Sequence, residues 1–219
     1  MISLKLLIYL SIGTAVMYVP ILIQTLWCRG KVLKSVPLTL LLTVAGTLGT
    51  YLMYYLESGY IGGTSFYGAV FLVPVLFVPV AKLLRLPYGQ ALDLCATGEC
   101  AMLAVMKVQC LLSDCCRGMV LYTDAAGANV RFPSQLAELV NALVLMVILL
   151  CLSRKEKNQG KLYPMYMLLY GLTRFVLNLF REGKTPFALG LPAGNFWSVW
   201  SVLIGAAVLI LLNRKKNHK

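Results

Sequence analysis

The chain is short of charge and almost without histidine. Charged residues make up 13% of its 219 residues, only 8 of them acidic, and one histidine, His218, lies next to the last residue; an ordinary soluble domain is about a quarter charged. With 59% hydrophobic content, that shortage excludes a single water-soluble globule, because the apolar surface exceeds what one core can hide and the surplus must face lipid. The lack of linkers, repeats and low-complexity tracts excludes a multidomain or solenoid architecture, so residues 1–219 read as one integral membrane domain. Seven cysteines are present, but neither a pair-and-pair spacing nor a Cys/His cluster marks a zinc site. Nothing in the chain indicates a metal or an organic cofactor.

What the chain has is long apolar runs. A helix crosses a bilayer with about 20 mostly apolar residues, and seven stretches qualify: roughly 6–27, 37–56, 64–84, 90–112, 136–152, 163–180 and 195–212. The expected fold is therefore an all-α polytopic membrane protein. The first stretch is longer than a signal-peptide core and no small-residue cleavage pattern follows it, so it reads as a retained helix.

The net charge of +12 raises the question of nucleic acid, and the placement of the basic residues answers it. Arg29, Lys31 and Lys34 follow the first helix, Lys82 and Arg85 the third, Arg154, Lys155, Lys157 and Lys161 the fifth, and Arg214, Lys215, Lys216 and Lys219 the last. With seven spans, these 13 of 20 basic residues share one side. The positive-inside rule makes that side cytoplasmic, with the N-terminus outside and the C-terminus inside. His218 then lies in a cytoplasmic tail, far from any outer-leaflet chemistry.

This topology gives each intramembrane polar residue a depth. Lys107 falls in the outer half of the fourth helix and Arg174 in the outer half of the sixth. Tyr170, Arg174, Asn178 and Arg181 follow a spacing of four, four and three, which places them on one helical face. Ser65, Phe66 and Tyr67 open the third helix at the same level, and the loop before the fifth helix adds Arg131, Gln135 and Glu138. A cation buried in hydrocarbon costs several kcal/mol, about 3 or more, unless it faces a polar interior or an anion. Two cations at one level exceed the nearby carboxylates, so an anionic headgroup in the outer leaflet would resolve the imbalance. The competing reading has Lys107 pairing structurally with Glu138 or Asp114 while Arg174 and Arg181 snorkel to the headgroup region. Asp93 and Glu99 read as structural acids, and Cys28, Cys95, Cys100 and Cys151 as packing. Cys110, Cys115 and Cys116 could form a disulfide or simply pack.

Four segments together resemble a known family, prolipoprotein diacylglyceryl transferase. Gly62-Gly-Thr-Ser-Phe-Tyr-Gly68 is similar to that family's Gly-Gly-x-Ser-Phe-His/Tyr-Gly, and the run from Lys107 to Gly118 to its Arg-containing, cysteine-rich signature. Arg131-Phe-Pro-Ser134-Gln135-Leu-Ala-Glu138 is similar to Arg-x-Pro-Ser-Gln-Leu-Tyr-Glu, and Tyr170-Gly-Leu-Thr-Arg174 through Arg181 to Tyr-Gly-x-x-Arg-x-x-x-Glu-x-x-Arg. Asp93 precedes Lys107 by fourteen residues, the family's interval between its aspartate and its signature arginine. Departures fall on Lys107, where the family has arginine, Asn178, where it has a carboxylate, and Tyr67, where many members have histidine.

The resemblance implies transfer of diacylglyceryl from phosphatidylglycerol to the thiol of a lipobox cysteine in a prolipoprotein signal peptide, at the outer face of a bacterial inner membrane. It implies catalytic roles for Arg174, Lys107, Glu138 and Tyr67, with Glu138 or Tyr67 relaying the proton. Headgroup binding would fall to Lys107, Gly118, Arg131, Ser134, Gln135, Tyr170, Arg174, Asn178 and Arg181. The rival expectation is a non-catalytic phospholipid-binding or lipid-moving protein that retains the fold. A small-molecule transporter is disfavoured because no inverted repeat is visible.

Overall fold

The computed structural model describes residues 4–28, 30–60, 62–125, 127–182 and 186–217, with backbone alone at 4–6 and 215–217. Arg29, His218 and Lys219, and the side chains of Lys215 and Lys216, lie outside the described residues. Seven α-helices run through the described residues: α1 (Leu4–Trp27), α2 (Val32–Ser58), α3 (Tyr67–Leu83), α4 (Tyr88–Leu112), α5 (Ser134–Ser153), α6 (Leu162–Leu179) and α7 (Ala193–Asn217). Between α4 and α5, β1 (Val120–Thr123) pairs antiparallel with β2 (Asn129–Arg131); between α6 and α7, β3 (Pro186–Ala188) pairs with β4 (Leu191–Pro192).

The helices match the seven predicted stretches, with most ends within two or three residues. α2 and α7 extend furthest beyond expectation, starting at Val32 and ending at Asn217. Five helices, α1, α2, α4, α5 and α7, are long and apolar enough to cross a membrane. α3 is apolar but 17 residues long, and α6 carries Arg174 and Asn178 within its 18 residues. More than half of α4's most apolar window (56%) is buried, against 22–39% for the other four, so α4 is the central helix. The outward faces of α2, α5 and α7 are leucine, valine and isoleucine, including Leu48, Leu52, Val144, Val147, Leu203 and Leu211. A protein with an apolar outside and polar groups such as Gln24, Thr97, Glu99, Lys107 and Glu138 buried inside is built for a lipid solvent.

Small residues set the closest helix contacts. A Cβ on Gly68 of α3 would lie 1.9 Å from the carbonyl oxygen of Gly49 on α2, so the two backbones meet without side chains between them. On α6, a Cβ at Gly171 would stand 2.8 Å from the Ser198 carbonyl oxygen of α7. Pro74 inside α3 has no N–H for the carbonyl of Val70, and the Tyr163 hydroxyl of α6 donates to that oxygen instead, at 3.0 Å. The same hydroxyl is 3.0 Å from Glu99 Oε1. Asp93 reaches across from α4 and accepts the backbone N–H groups of Gly160 and, at 2.8 Å, Leu162, which holds the start of α6.

The described basic residues that follow α1, α3 and α5 gather at one end of the bundle. Lys34 donates to the Arg85 carbonyl oxygen at 2.9 Å, Lys161 bonds the Asn213 side chain, and the Arg154 guanidinium lies 4.0 Å from the centroid of the Trp27 ring. The two hairpins, the end of α4 and the end of α6 are at the opposite end. Of the cysteines read as packing, Cys95 and Cys100 are buried, whereas Cys28 and Cys151, near helix ends on the basic side, are exposed.

Candidate active site

The end of the bundle opposite the basic cluster gathers most of the polar residues singled out above. α6 ends there, and its 3.6-residue period turns Tyr170, Arg174 and Asn178 toward a cavity of about 350 Å³, which Arg181, just past the helix end, also lines. The far wall comes from α2 and the start of α3, with Glu57, Ser65 and Tyr67; the start of α7 adds Gly194. Thus two guanidinium groups face a carboxylate and several hydroxyls across one cavity.

Arg174 is anchored from behind. Its guanidinium pairs with Glu138 of α5, and the Lys107 ammonium of α4 pairs with the same carboxylate oxygen, Oε2. All three side chains are nearly closed to solvent, at 9% for Lys107, 3% for Glu138 and 11% for Arg174. One acid between two cations leaves this cluster with a net charge of +1. The cations expected to converge do converge, and a protein carboxylate bridges them: the pairing of Lys107 with Glu138 is the competing expectation, whereas the sharing of that carboxylate by Arg174 was not foreseen. Neither Lys107 nor Glu138 lines the cavity.

Tyr67 sits beneath the guanidinium with its hydroxyl 2.5 Å from Ser198 Oγ of α7, and Ser198 in turn donates to the Gly194 carbonyl oxygen at 2.6 Å. Its ring belongs to an aromatic row with Tyr170 and Tyr166. Asn178 is buried against Gly194, where a Cβ would stand 2.4 Å from its Nδ2. Gln135 donates to the Cys115 carbonyl oxygen at 2.7 Å, Ser134 approaches the Phe180 carbonyl oxygen at 3.5 Å, and Arg131 pairs with Glu182 while donating to the Gly118 carbonyl oxygen at 3.2 Å. These three residues, with Gly118, brace the loop that joins α4 to α5; none of them lines the cavity. Gly118 pairs with Arg181 in an isolated antiparallel bridge, and a Cβ there would meet the Phe132 carbonyl oxygen at 2.0 Å, so only glycine fits. In the same loop, the Cys116 thiol is held well below its ordinary value, at about 5, first by the adjoining Cys110 thiol and then by the charges of Arg181 and Lys107.

The sequence reading missed Glu57 and Tyr54, and it matched Ser198 to the family's last helix start without giving it a role in the site. Glu57 accepts a hydrogen bond from Ser65 at 2.7 Å and stands across from Arg174. A carboxylate ending a 27-residue apolar helix, just before Gly62 and Gly63, was the available signal.

Comparison with known sequences now decides the family. The family described as prolipoprotein diacylglyceryl transferase matches this chain over residues 5–211. The chain belongs to that family. Among its relatives, the phosphatidylglycerol–prolipoprotein diacylglyceryl transferase of Geobacter sulfurreducens is 29% identical over 196 residues, covering 79% of this chain and 74% of the relative. The proteins of the same name from Mannheimia succiniciproducens (29% over 167 residues) and Dehalococcoides mccartyi (27% over 168 residues) align with 71% and 72% of this chain. This chain spans 62% and 64% of those two relatives, less than two thirds of their length. Family membership makes it a membrane-embedded transferase, in agreement with the apolar exterior. These relatives are named for phosphatidylglycerol and a prolipoprotein.

Proposed function

We propose that this protein transfers diacylglyceryl from phosphatidylglycerol to the thiol of a lipobox cysteine in a prolipoprotein signal peptide, at the extracytoplasmic side of a bacterial inner membrane. The observation that carries this reading is the presentation of Arg174 from α6 and Arg181 from just beyond its end, lining a cavity with Tyr67, Ser65 and Glu57 in a chain of this family. The sidedness follows from the basic cluster at the opposite end of the bundle: if that end is cytoplasmic, the N-terminus and the cavity are outside and the C-terminus is inside.

In the reaction, the cysteine thiol gives up its proton, its sulfur bonds to the glyceryl carbon, and the carbon–oxygen bond to phosphate breaks. The electron pair leaves with glycerol phosphate, which takes up the released proton. Three tasks follow for the protein: holding the carbon in line with sulfur, favouring the thiolate, and stabilising the charge that grows on the leaving phosphate.

Arg174 serves the last two. Its guanidinium is fixed by Glu138 before any lipid arrives, so no reorganisation is needed as charge develops, and in a site closed to water a fixed cation acts far more strongly than in bulk. Lys107 adds positive charge behind Glu138 and acts through Arg174, as a positioning residue. Arg181, nearer the rim, supplies a second donor to the phosphate. Glu57 and Ser65 across the cavity offer acceptors to the glycerol hydroxyls of the headgroup, which separates phosphatidylglycerol from headgroups without hydroxyls. Tyr67, tied to Ser198, places a hydroxyl at the base of the cavity, where it takes part in moving the thiol proton.

The test is direct. Membranes holding the protein are incubated with phosphatidylglycerol and a lipobox peptide, and the peptide is examined by mass spectrometry for the added diacylglyceryl group. Modified peptide supports the transferase. Folded protein that binds the lipid without modifying the peptide supports instead a lipid-binding descendant, the reading favoured by a Lys107 already committed to Glu138.

A further inference from the structure

α4 ends in a turn that the transfer reaction does not use. Cys110 lies in the last turn of the helix; the Cys115 N–H bonds back to the Cys110 carbonyl oxygen at 3.2 Å, a six-residue closure of the Schellman kind. That closure needs a left-handed residue, normally glycine, and here the position is Asp114 with φ of 49°. Cys116 is left-handed as well, with φ of 59°. Two non-glycine residues in this region cost about 1–3 kcal/mol each, so the turn is held by its surroundings: Gln135 grips the Cys115 carbonyl oxygen, and Gly118 pairs with Arg181.

The result is a convergence of thiols. The sulfurs of Cys110, Cys115 and Cys116 all lie within 4.8 Å of one another, the one such group of metal-ligating side chains among the described residues, and all three are free. We propose that these cysteines form a site for one thiophilic divalent cation of the zinc class.

The geometry suits such an ion. An equilateral triangle of sulfurs with sides of 4.8 Å has its centre about 2.8 Å from each sulfur, and zinc–thiolate bonds are about 2.3 Å. Each side chain has to move about 0.5 Å at most, within reach of small rotations about the Cα–Cβ bonds. Cys110 and Cys116 are partly buried and Cys115 is exposed, so the ion has a route in and a fourth position open to water. Binding requires all three sulfurs as thiolates, so one divalent ion displaces whatever thiol protons remain and leaves a complex of charge −1. The positive charges of Lys107 and Arg181, both within electrostatic reach of Cys116, offset that charge. A disulfide would pair two sulfurs and strand the third; a metal uses all three. The sequence contained no zinc spacing because Cys110, Cys115 and Cys116 lack a histidine or a second cysteine pair. The left-handed turn, invisible in the sequence, is what brings them together.

Cadmium is the probe. The full-length protein is purified in detergent, its seven thiols are verified as reduced, and cadmium is added while the ultraviolet thiolate-to-cadmium band is followed. The expected result is saturation at one cadmium per chain, competition by zinc, and protection of Cys110, Cys115 and Cys116, but not Cys28 or Cys151, from maleimide labelling mapped by mass spectrometry. The protection experiment uses the unmutated chain and so does not depend on whether variants fold. The band should vanish in Cys110→Ser/Cys115→Ser/Cys116→Ser and persist when Cys28, Cys95, Cys100 and Cys151 are replaced by serine. Absence of a band with all thiols reduced would overturn the proposal, as would its persistence in the triple variant or a native disulfide involving Cys110 in freshly isolated membranes. None of these readouts requires transferase activity, so the site and the transfer reaction stand or fall separately.

Discussion

Replacing Glu138 by glutamine removes the one negative charge between Lys107 and Arg174 and keeps the side chain's shape. The three groups carry a net +1; in Glu138→Gln they carry +2, with two buried cations facing a neutral amide. Removing one partner of a buried ion pair costs about 3–5 kcal/mol, because the charge left behind has no compensation. For a chain of this size, about 2–4 °C of melting temperature corresponds to each kcal/mol, so the expected fall is roughly 6–20 °C. The companion variant Lys107→Met/Glu138→Gln returns the net charge to +1 and should recover a large part of that loss. Lys107→Met alone leaves a neutral Glu138–Arg174 pair and should cost least. The assay is thermal unfolding of detergent-purified protein by intrinsic fluorescence for the wild type, both single variants and the double variant. A coupling energy of about 0.5–3 kcal/mol between the sites is expected. Additive effects, or a Glu138→Gln protein melting within about 2 °C of wild type, would show that the carboxylate does not hold the two cations together, and the prepositioning of Arg174 would lose its basis.

Three more expectations bear on separate parts of the structure. Arg174→Ala should lower diacylglyceryl transfer by at least about a hundredfold, whereas Lys107→Arg, which keeps the charge on Glu138, should retain or raise activity; initial rates of peptide modification separate the two. Gly68→Ala should destabilise the α2–α3 contact by about 1–3 kcal/mol, because its Cβ would fall 1.9 Å from the Gly49 carbonyl oxygen, while Gly46→Ala, with its nearest neighbour at 3.9 Å, should melt close to wild type. Asp93→Ala should cost about 1–3 kcal/mol, since the backbone N–H groups of Gly160 and Leu162 lose their acceptor; faster amide exchange at the start of α6 would locate that loss.

Composition and periodicity determined a great deal on their own. The apolar runs marked seven helices because a bilayer demands about 20 residues of continuous apolar helix, a local requirement that each segment meets or fails by itself. The alignment of Tyr170, Arg174 and Asn178 was equally legible, being a property of one helix and its 3.6-residue turn, whereas Arg181, past the helix end, is placed by its bridge to Gly118. Pairing across helices was a different matter. Lys107 was legible as a buried cation with Glu138 as a candidate partner, but its sharing of one Glu138 oxygen with Arg174 was not, and Glu57 was not legible as the acid across the cavity. The cysteines at 110, 115 and 116 showed no metal spacing until two left-handed residues folded them together. These relations depend on how closely helix backbones approach, at contacts such as Gly49 against Gly68 and Gly171 against Ser198, and on how a few loop residues turn. A residue's own sequence neighbourhood carries its polarity and its face. Which other face it meets is set by packing among all seven helices, and only the tertiary structure holds that information.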